Sequence, residues 1–105
     1  MKLVIVESPY AGCVADNVAY ARQAVRDSVM RGEAPMASHL LFTQDGILKD
    51  EIREERDLGI AAGIAWRRVC DYAVFYVDRG WSNGMLLARD IYVREGISFE
   101  VRTLT

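Results

Sequence analysis

Two short runs of β-branched and aromatic residues dominate the apolar pattern of the chain. Lys2 to Ser8 carries LVIV, and Tyr72 to Val77 reads YAVFYV. Neither run alternates with polar residues, as a half-buried strand does. Continuous apolar runs of this length suit strands covered on both faces, the condition of a parallel sheet. Pro9 ends the first run, because proline has no N–H to give a central ladder. After it the spacing changes to three and four. Asp16 or Asn17 can cap a helix running to Arg31, with Val18, Ala21, Val25 and Val29 as its apolar stripe and Gly32 as its stop. Arg22, Arg26 and Asp27 fall off that stripe and read as a solvated face.

Ala34 to Ala37 predicts a short strand, with Pro35 near its start or at a sheet edge. Thr43 to Asp50 contains the turn signal Gln44-Asp45-Gly46 and is the least regular stretch, a candidate lid or subunit contact. Asp50 can cap a second helix, from about Glu51 to Cys70, with Leu58, Ala61, Ala62, Ala65 and Val69 as the expected buried stripe. Gly59 and Gly63 lie four apart on one face of it. Each costs roughly 1 kcal/mol relative to alanine, so close packing against the sheet or another subunit would explain them. A third helix follows Ser82-Asn83-Gly84 and runs to Glu95, with Met85, Ala88 (or Arg89) and Tyr92 inward and Gly96 as its stop. Ser98 to Arg102 alternates Phe99 and Val101 and reads as the last strand. This alternation predicts a single α/β domain over residues 1–105: a small three-layer, Rossmann-like parallel sheet with helices on both faces. The simplest strand order is flavodoxin-like, 2-1-3-4.

Composition narrows the function classes. With 105 residues the chain can close a modest core without metal or disulfide staples. The net charge of -2, without a long basic run, argues against binding a nucleic-acid polymer. No apolar run reaches membrane-spanning length. MKLVIVESPY lacks a signal peptide's long apolar region and cleavage site and reads as a strand, so a cytoplasmic location is expected. Cys13 and Cys70 show no metal spacing, and His39 is the only histidine, so neither a metal site nor a cofactor is expected. Both thiols are expected to be free, Cys13 being either a reactive loop thiol or a small loop residue.

In an open parallel sheet, ligands bind where the carboxyl ends of strands meet the amino ends of helices. The stretch Asp71–Glu95 makes one such junction. Ser82 as N-cap, with Asn83 and Gly84, would present N–H groups and a helix dipole to an anion. Ser8, Pro9, Tyr10, Ala11 and Gly12 make the other. Tyr10 is either a stacking platform for a base or ribose, or a rim aromatic over the core; Trp81 is a second aromatic beside the turn. His39 can bond a ligand, carry a proton, or only pin its loop. Glu7 sits where a strand should be buried. A buried carboxylate needs partners or a raised pKa, so Glu7 is an acid or an acceptor for loop amides. Arg53 to Arg56 reads as helix-surface charge, with Glu54 and Glu55 near the cleft.

ESPYAG after the first strand, Asn17, Pro35 with SHLL, EERDLGI and VDRGWSNGM occur in order along nearly the whole chain. In this the chain resembles the small, mostly phage-encoded domains related to nucleoside 2-deoxyribosyltransferases and deoxynucleoside 5′-monophosphate N-glycosidases. The resemblance implies a nucleotide or nucleoside-like ligand, a homodimer or larger homo-oligomer, and a host-cytoplasmic location if the gene is carried by a phage. It implies that Ser8 and Tyr10 belong to the loop that holds base and sugar, that Asp78 is near a sugar-holding aspartate, and that Ser82 and Gly84 form a phosphate turn. It also places the nucleophilic glutamate of those enzymes at Ala88, which has no oxygen to attack carbon. Asp90 points about 200° around the helix from Ala88 and is no simple substitute; Glu7, Asp78, Glu54 or Glu55 are the other carboxylates within the expected region.

Three functions follow as expectations. The first is a nucleotide or nucleotide-derivative binding protein with a degenerate site, able to sequester a signal nucleotide, its ligand held by Ser8 to Gly12, His39, Asp78, Trp81 and Ser82 to Gly84. The second is an N-glycosidase or deoxyribosyltransferase with a displaced carboxylate, Asp78 or Glu7. The third is a structural or host-interaction protein in which apolar surface around Gly59, Gly63 and Trp66 pairs two subunits. Fold alone does not choose among them.

Overall fold

A computed structural model describes all residues, Met1 to Thr105. The elements are β1 (Leu3–Glu7), α1 (Val14–Met30), β2 (Ala34–Met36), the single turn α2 (Ser38–Leu41), α3 (Arg53–Ala65) continued by a 3₁₀ turn at Trp66–Arg68, β3 (Tyr72–Tyr76), α4 (Asn83–Glu95) and β4 (Phe99–Arg102). The four strands are all parallel in the order β2-β1-β3-β4. This is the α/β architecture and the strand order expected from the sequence. The two apolar runs are the two central strands, β1 and β3, which is why they are apolar on both sides.

Alternation along β1 divides the core. Val4 and Val6 meet Tyr20, Ala24, Val74 and Tyr76 on the α1 side. Ile5 meets Ala73, Phe75, Met85, Ala88 and Tyr92 on the α4 side. Glu7 follows Ile5 toward α4, and Ser8 follows Val6 toward α1 and α2. Pro35 lies in the short edge strand β2, paired with Val4 by register.

α1 begins at Val14, with Cys13 at the N-cap, three residues before Asp16 and four before Asn17. Asp16 instead accepts a hydrogen bond from the Cys13 thiol at 3.0 Å. The buried face is Asn17, Tyr20, Ala21, Ala24 and Ser28, whereas Val29 is exposed. The valine stripe is therefore displaced from the true one: small residues let the helix approach the sheet, and Tyr20, Asn17 and Ser28 are buried with their polar groups bonded. Asp27 is not fully solvated either, because Tyr76 Oη donates to it at 2.7 Å.

α3 departs further. Its N-cap is Ile52 rather than Asp50, its α-helical part ends at Ala65, and Gly63 is its one buried residue. The expected stripe of Leu58, Ala61, Ala62, Ala65 and Val69 faces outward. The inward face is the glycine face. A Cβ on Gly63 would overlap Ser38 Cβ at 2.5 Å and the serine hydroxyl more closely, and one on Gly59 would meet Leu48 Cδ1 at 3.3 Å. The glycines thus pack α3 on α2 and the loop after it rather than on the sheet. At its far end Arg67 binds Glu95 of α4 through Nε–Oε1 at 2.8 Å and Nη2–Oε2 at 3.0 Å.

The α1 side of β3 and β4 also carries a polar network. Arg102 reaches Glu33 through Nη1–Oε1 at 2.8 Å and Nη2–Oε2 at 2.7 Å. Both side chains are 8% exposed. Tyr72 and Ser28 hydroxyls also donate to Glu33. These donors, the guanidinium first, hold the Glu33 carboxyl down to about 2.

Candidate functional site

The carboxyl ends of β1 and β3 open into a cleft of about 800 Å³. Each wall follows from a local sequence choice. Gly12, at φ 101°, lets the loop after β1 turn back into α1 through a conformation other residues resist. Asn17 then fixes that loop: its Nδ2 donates to the Tyr10 and Ala11 carbonyls at 3.0 Å each. Asn17 is a loop staple rather than a helix cap.

The opposite wall is the start of α4. Ser82 is its N-cap, with φ -79° and ψ 167°, and Met85 N–H donates to Ser82 Oγ at 3.2 Å. The cap satisfies one amide of the first turn and leaves earlier ones directed at the cleft. Gly84 has ordinary helical freedom. A Cβ there would find only Ser82 Oγ, at 4.0 Å, so this position keeps space open in front of the helix end.

Ser8, Tyr10, Gly12, His39, Trp81, Ser82, Asn83 and Gly84 all border this one cleft. Ser8 Oγ and His39 Nε2 are 2.7 Å apart. Burial pulls the His39 imidazole down to about 4, so it is neutral near neutral pH. Trp81 is already engaged: its ring centroid is 4.9 Å from that of Phe75, and the Arg89 guanidinium carbon lies 4.6 Å over it. Tyr10, without such partners, is the freer aromatic surface.

Glu7 also borders the cleft. Its partner is a side chain, not loop amides: Tyr92 Oη donates to Glu7 Oε2 at 2.8 Å. Burial raises the carboxyl to about 7, against the smaller lowering effect of the Tyr92 bond. Tyr92 and Ala88 are one turn apart on α4, so this carboxyl approaches the face of the helix on which Ala88 sits. Ala88 itself is 3% exposed, at the junction of core and cleft.

Asp78 is not brought to the cleft. Its Oδ1 accepts from Tyr20 Oη at 2.5 Å and Leu104 N–H at 2.9 Å, and its Oδ2 from Thr105 Oγ1 at 3.1 Å. The Tyr20 bond first, then the Leu104 amide, hold its carboxyl down to about 2. It is a clasp between α1, the end of β3 and the chain after β4. Glu54 also stays outside. Glu55 borders the cleft, but its Oε1 accepts from Lys49 N–H at 3.0 Å.

Sequence reasoning missed Arg56, the one lysine or arginine on the cleft wall. It makes no ion pair within the chain. In the run Arg53 to Arg56 nothing distinguishes it; only the docking of α3 on α2 turns that side of the first turn inward. No three His, Cys, Asp or Glu side chains come together as a metal site, and no helix is long and apolar enough to cross a membrane.

An open parallel sheet with a ligand-sized crevice at its carboxyl edge is the class of protein that fold and cleft define. Within that class the chain belongs to the family described as "Domain of unknown function (DUF7768)", whose model matches residues 2–102. No curated protein and no solved structure matches the chain.

Proposed function

We propose that the chain binds a nucleotide or nucleotide derivative in this cleft and holds it without ordinary glycosyl transfer. The observation that carries the reading is the capped start of α4 opening onto a crevice that also holds Arg56, Tyr10 and the Ser8–His39 pair. A phosphate meets helix amides, the dipole and a guanidinium there. A base or ribose meets Tyr10. The resemblance to deoxyribosyltransferase-like domains supports the same ligand class, and Ala88 in place of a nucleophile supports binding over transfer.

The test is a thermal-shift screen of deoxynucleoside monophosphates against the matching nucleosides. A bound ligand at about 100 times its dissociation constant adds roughly 2.7 kcal/mol of stability. Ser82→Ala should weaken monophosphates more than nucleosides; equal losses for both would refute the phosphate assignment.

A second reading is an N-glycosidase with a displaced carboxylate, favoured by Glu7 at the cleft wall, bonded to Tyr92 one helical turn from Ala88. Release of free base from a deoxynucleoside monophosphate, lost in Glu7→Gln, would establish it; an intact ligand recovered after long incubation would exclude it.

We infer also that two copies pair through the outer face of α3. Leu58 is 62% exposed, Val69 58% and Trp66 49%, more apolar surface than a lone amphipathic helix leaves uncovered. Gly63, buried on Ser38, takes no part. Sedimentation velocity should show a dimer that Leu58→Glu dissociates; a monomer at high concentration would refute the pairing.

A further inference from the structure

The floor of the cleft holds a carboxyl group whose two oxygens have different surroundings. Glu7 Oε2 takes the Tyr92 hydroxyl at 2.8 Å. Oε1 has no partner within the chain, and no buried side-chain oxygen is left without one. Oε1 is therefore the oxygen that opens into the cleft. No lysine or arginine pairs with this carboxyl.

None of the charged and titratable groups around it forms an ion pair with it. α4 presents Tyr92, whose own hydroxyl is pushed upward by burial and by Glu7. α2 presents His39, neutral and bonded to Ser8. α3 presents Glu55, already occupied by the Lys49 amide, and Arg56; the preceding loop presents Asp50. Cys70 and Arg67 lie behind Tyr92. An ionised Glu7 would stand with one oxygen unpaired beside the apolar Met85 and Ala88, the arrangement that favours a retained proton.

We propose that the cleft takes up its ligand together with one proton held on Glu7, whose Oε1–H donates to a ring nitrogen or carbonyl oxygen of the ligand. This rests on the nucleotide reading and specifies it. The anionic end lies at the start of α4, and a hydrogen-bond acceptor of the base or sugar-linked group faces the floor. Oε2 continues to accept from Tyr92. A ligand offering a cationic amine to the floor would require the ionised carboxylate and would bind with the opposite pH dependence.

The experiment is calorimetric titration of the intact chain with dAMP, dGMP, dCMP and dTMP. It is run from about pH 5.5 to about pH 8.5 in two buffers of different ionisation enthalpy. The expected result is net proton uptake and an affinity that falls by about tenfold per pH unit in the alkaline part of the range. Glu7→Gln keeps a donor toward the ligand and an acceptor toward Tyr92. It should retain at alkaline pH the affinity the wild type loses, with the phosphate's own titration common to both.

Binding whose pH profile is the same in the two proteins overturns this inference and leaves the nucleotide reading standing. A wild-type affinity that rises with pH relative to that of Glu7→Gln overturns it too. Absence of binding by all four nucleotides at every pH overturns the nucleotide reading and this inference with it. A carbon-13 titration of the Glu7 carboxyl in the ligand-free wild type supplies a check independent of the variant. An ordinary acidic midpoint there overturns the proton assignment.

Discussion

Glu7→Gln should change the pH dependence of stability in a predictable direction. Glu7 titrates at about 7 in the folded chain, against about 4.3 for an unfolded glutamate. Below the unfolded value both states hold the proton and nothing changes. Between the two values the unfolded chain has released its proton while the folded chain keeps it, so stability falls as pH rises. Above about pH 7 the loss is complete. At about 1.36 kcal/mol per pH unit, the ceiling is about 4 kcal/mol.

His39 acts the other way. Its folded value of about 4 lies below about 6.5 for the unfolded residue, so it stabilises above that value and the contribution is lost as pH falls. In the wild type the two slopes oppose each other across mildly acidic pH. Glutamine removes only the first. The variant should gain up to about 4 kcal/mol at about pH 8 and be unchanged near pH 4. In between it should show the acid-side decline that His39 alone produces. Urea denaturation of both proteins across this range measures the difference directly, since every other group cancels. A difference that does not vary with pH would refute the account of Glu7 as a buried, uncompensated carboxyl.

Gly84→Ala meets no atom nearer than Ser82 Oγ at 4.0 Å. It should leave folding intact or improve it by up to about 1 kcal/mol, while monophosphate affinity in the same titrations falls because the methyl group fills the approach to α4. Gly63→Ala places a methyl against Ser38 Cβ and should cost about 1–3 kcal/mol, read as a lower denaturation midpoint with faster hydrogen exchange in α3. Arg102→Met leaves the buried Glu33 carboxylate without its cation and should cost about 3–5 kcal/mol at neutral pH. Because Glu33 titrates at about 2 when folded, the wild-type advantage should be present above about pH 4.3 and shrink as pH falls toward 2. An advantage constant down to pH 2 would contradict the pairing.

The sheet was legible because β1 and β3 are apolar on both faces and their bounding turns carry Pro9 and Gly80. The phase of the helices was not. On α1 the most apolar residues, the valines, are not the innermost ones. Tyr20, Asn17 and Ser28 are buried with their hydrogen bonds made, and a hydropathy pattern scores them as surface. On α3 both faces are apolar or glycine, so periodicity could not say which is turned inward; the contact with Ser38 decides it. The cleft residues at strand and helix ends were found because topology fixes that edge as the open one. Arg56, the Glu7–Tyr92 bond and the diversion of Asp78 each depend on partners between 26 and 85 positions away or on helix docking, which local spacing does not encode.

The clasp on Asp78 makes the tail a structural hinge-pin for a region it never touches. Leu104 and Thr105 anchor the residue from which the chain departs toward Trp81 and Ser82. Trimming those two residues would slacken the approach to α4 and blur the anion-receiving geometry while the sheet stayed whole.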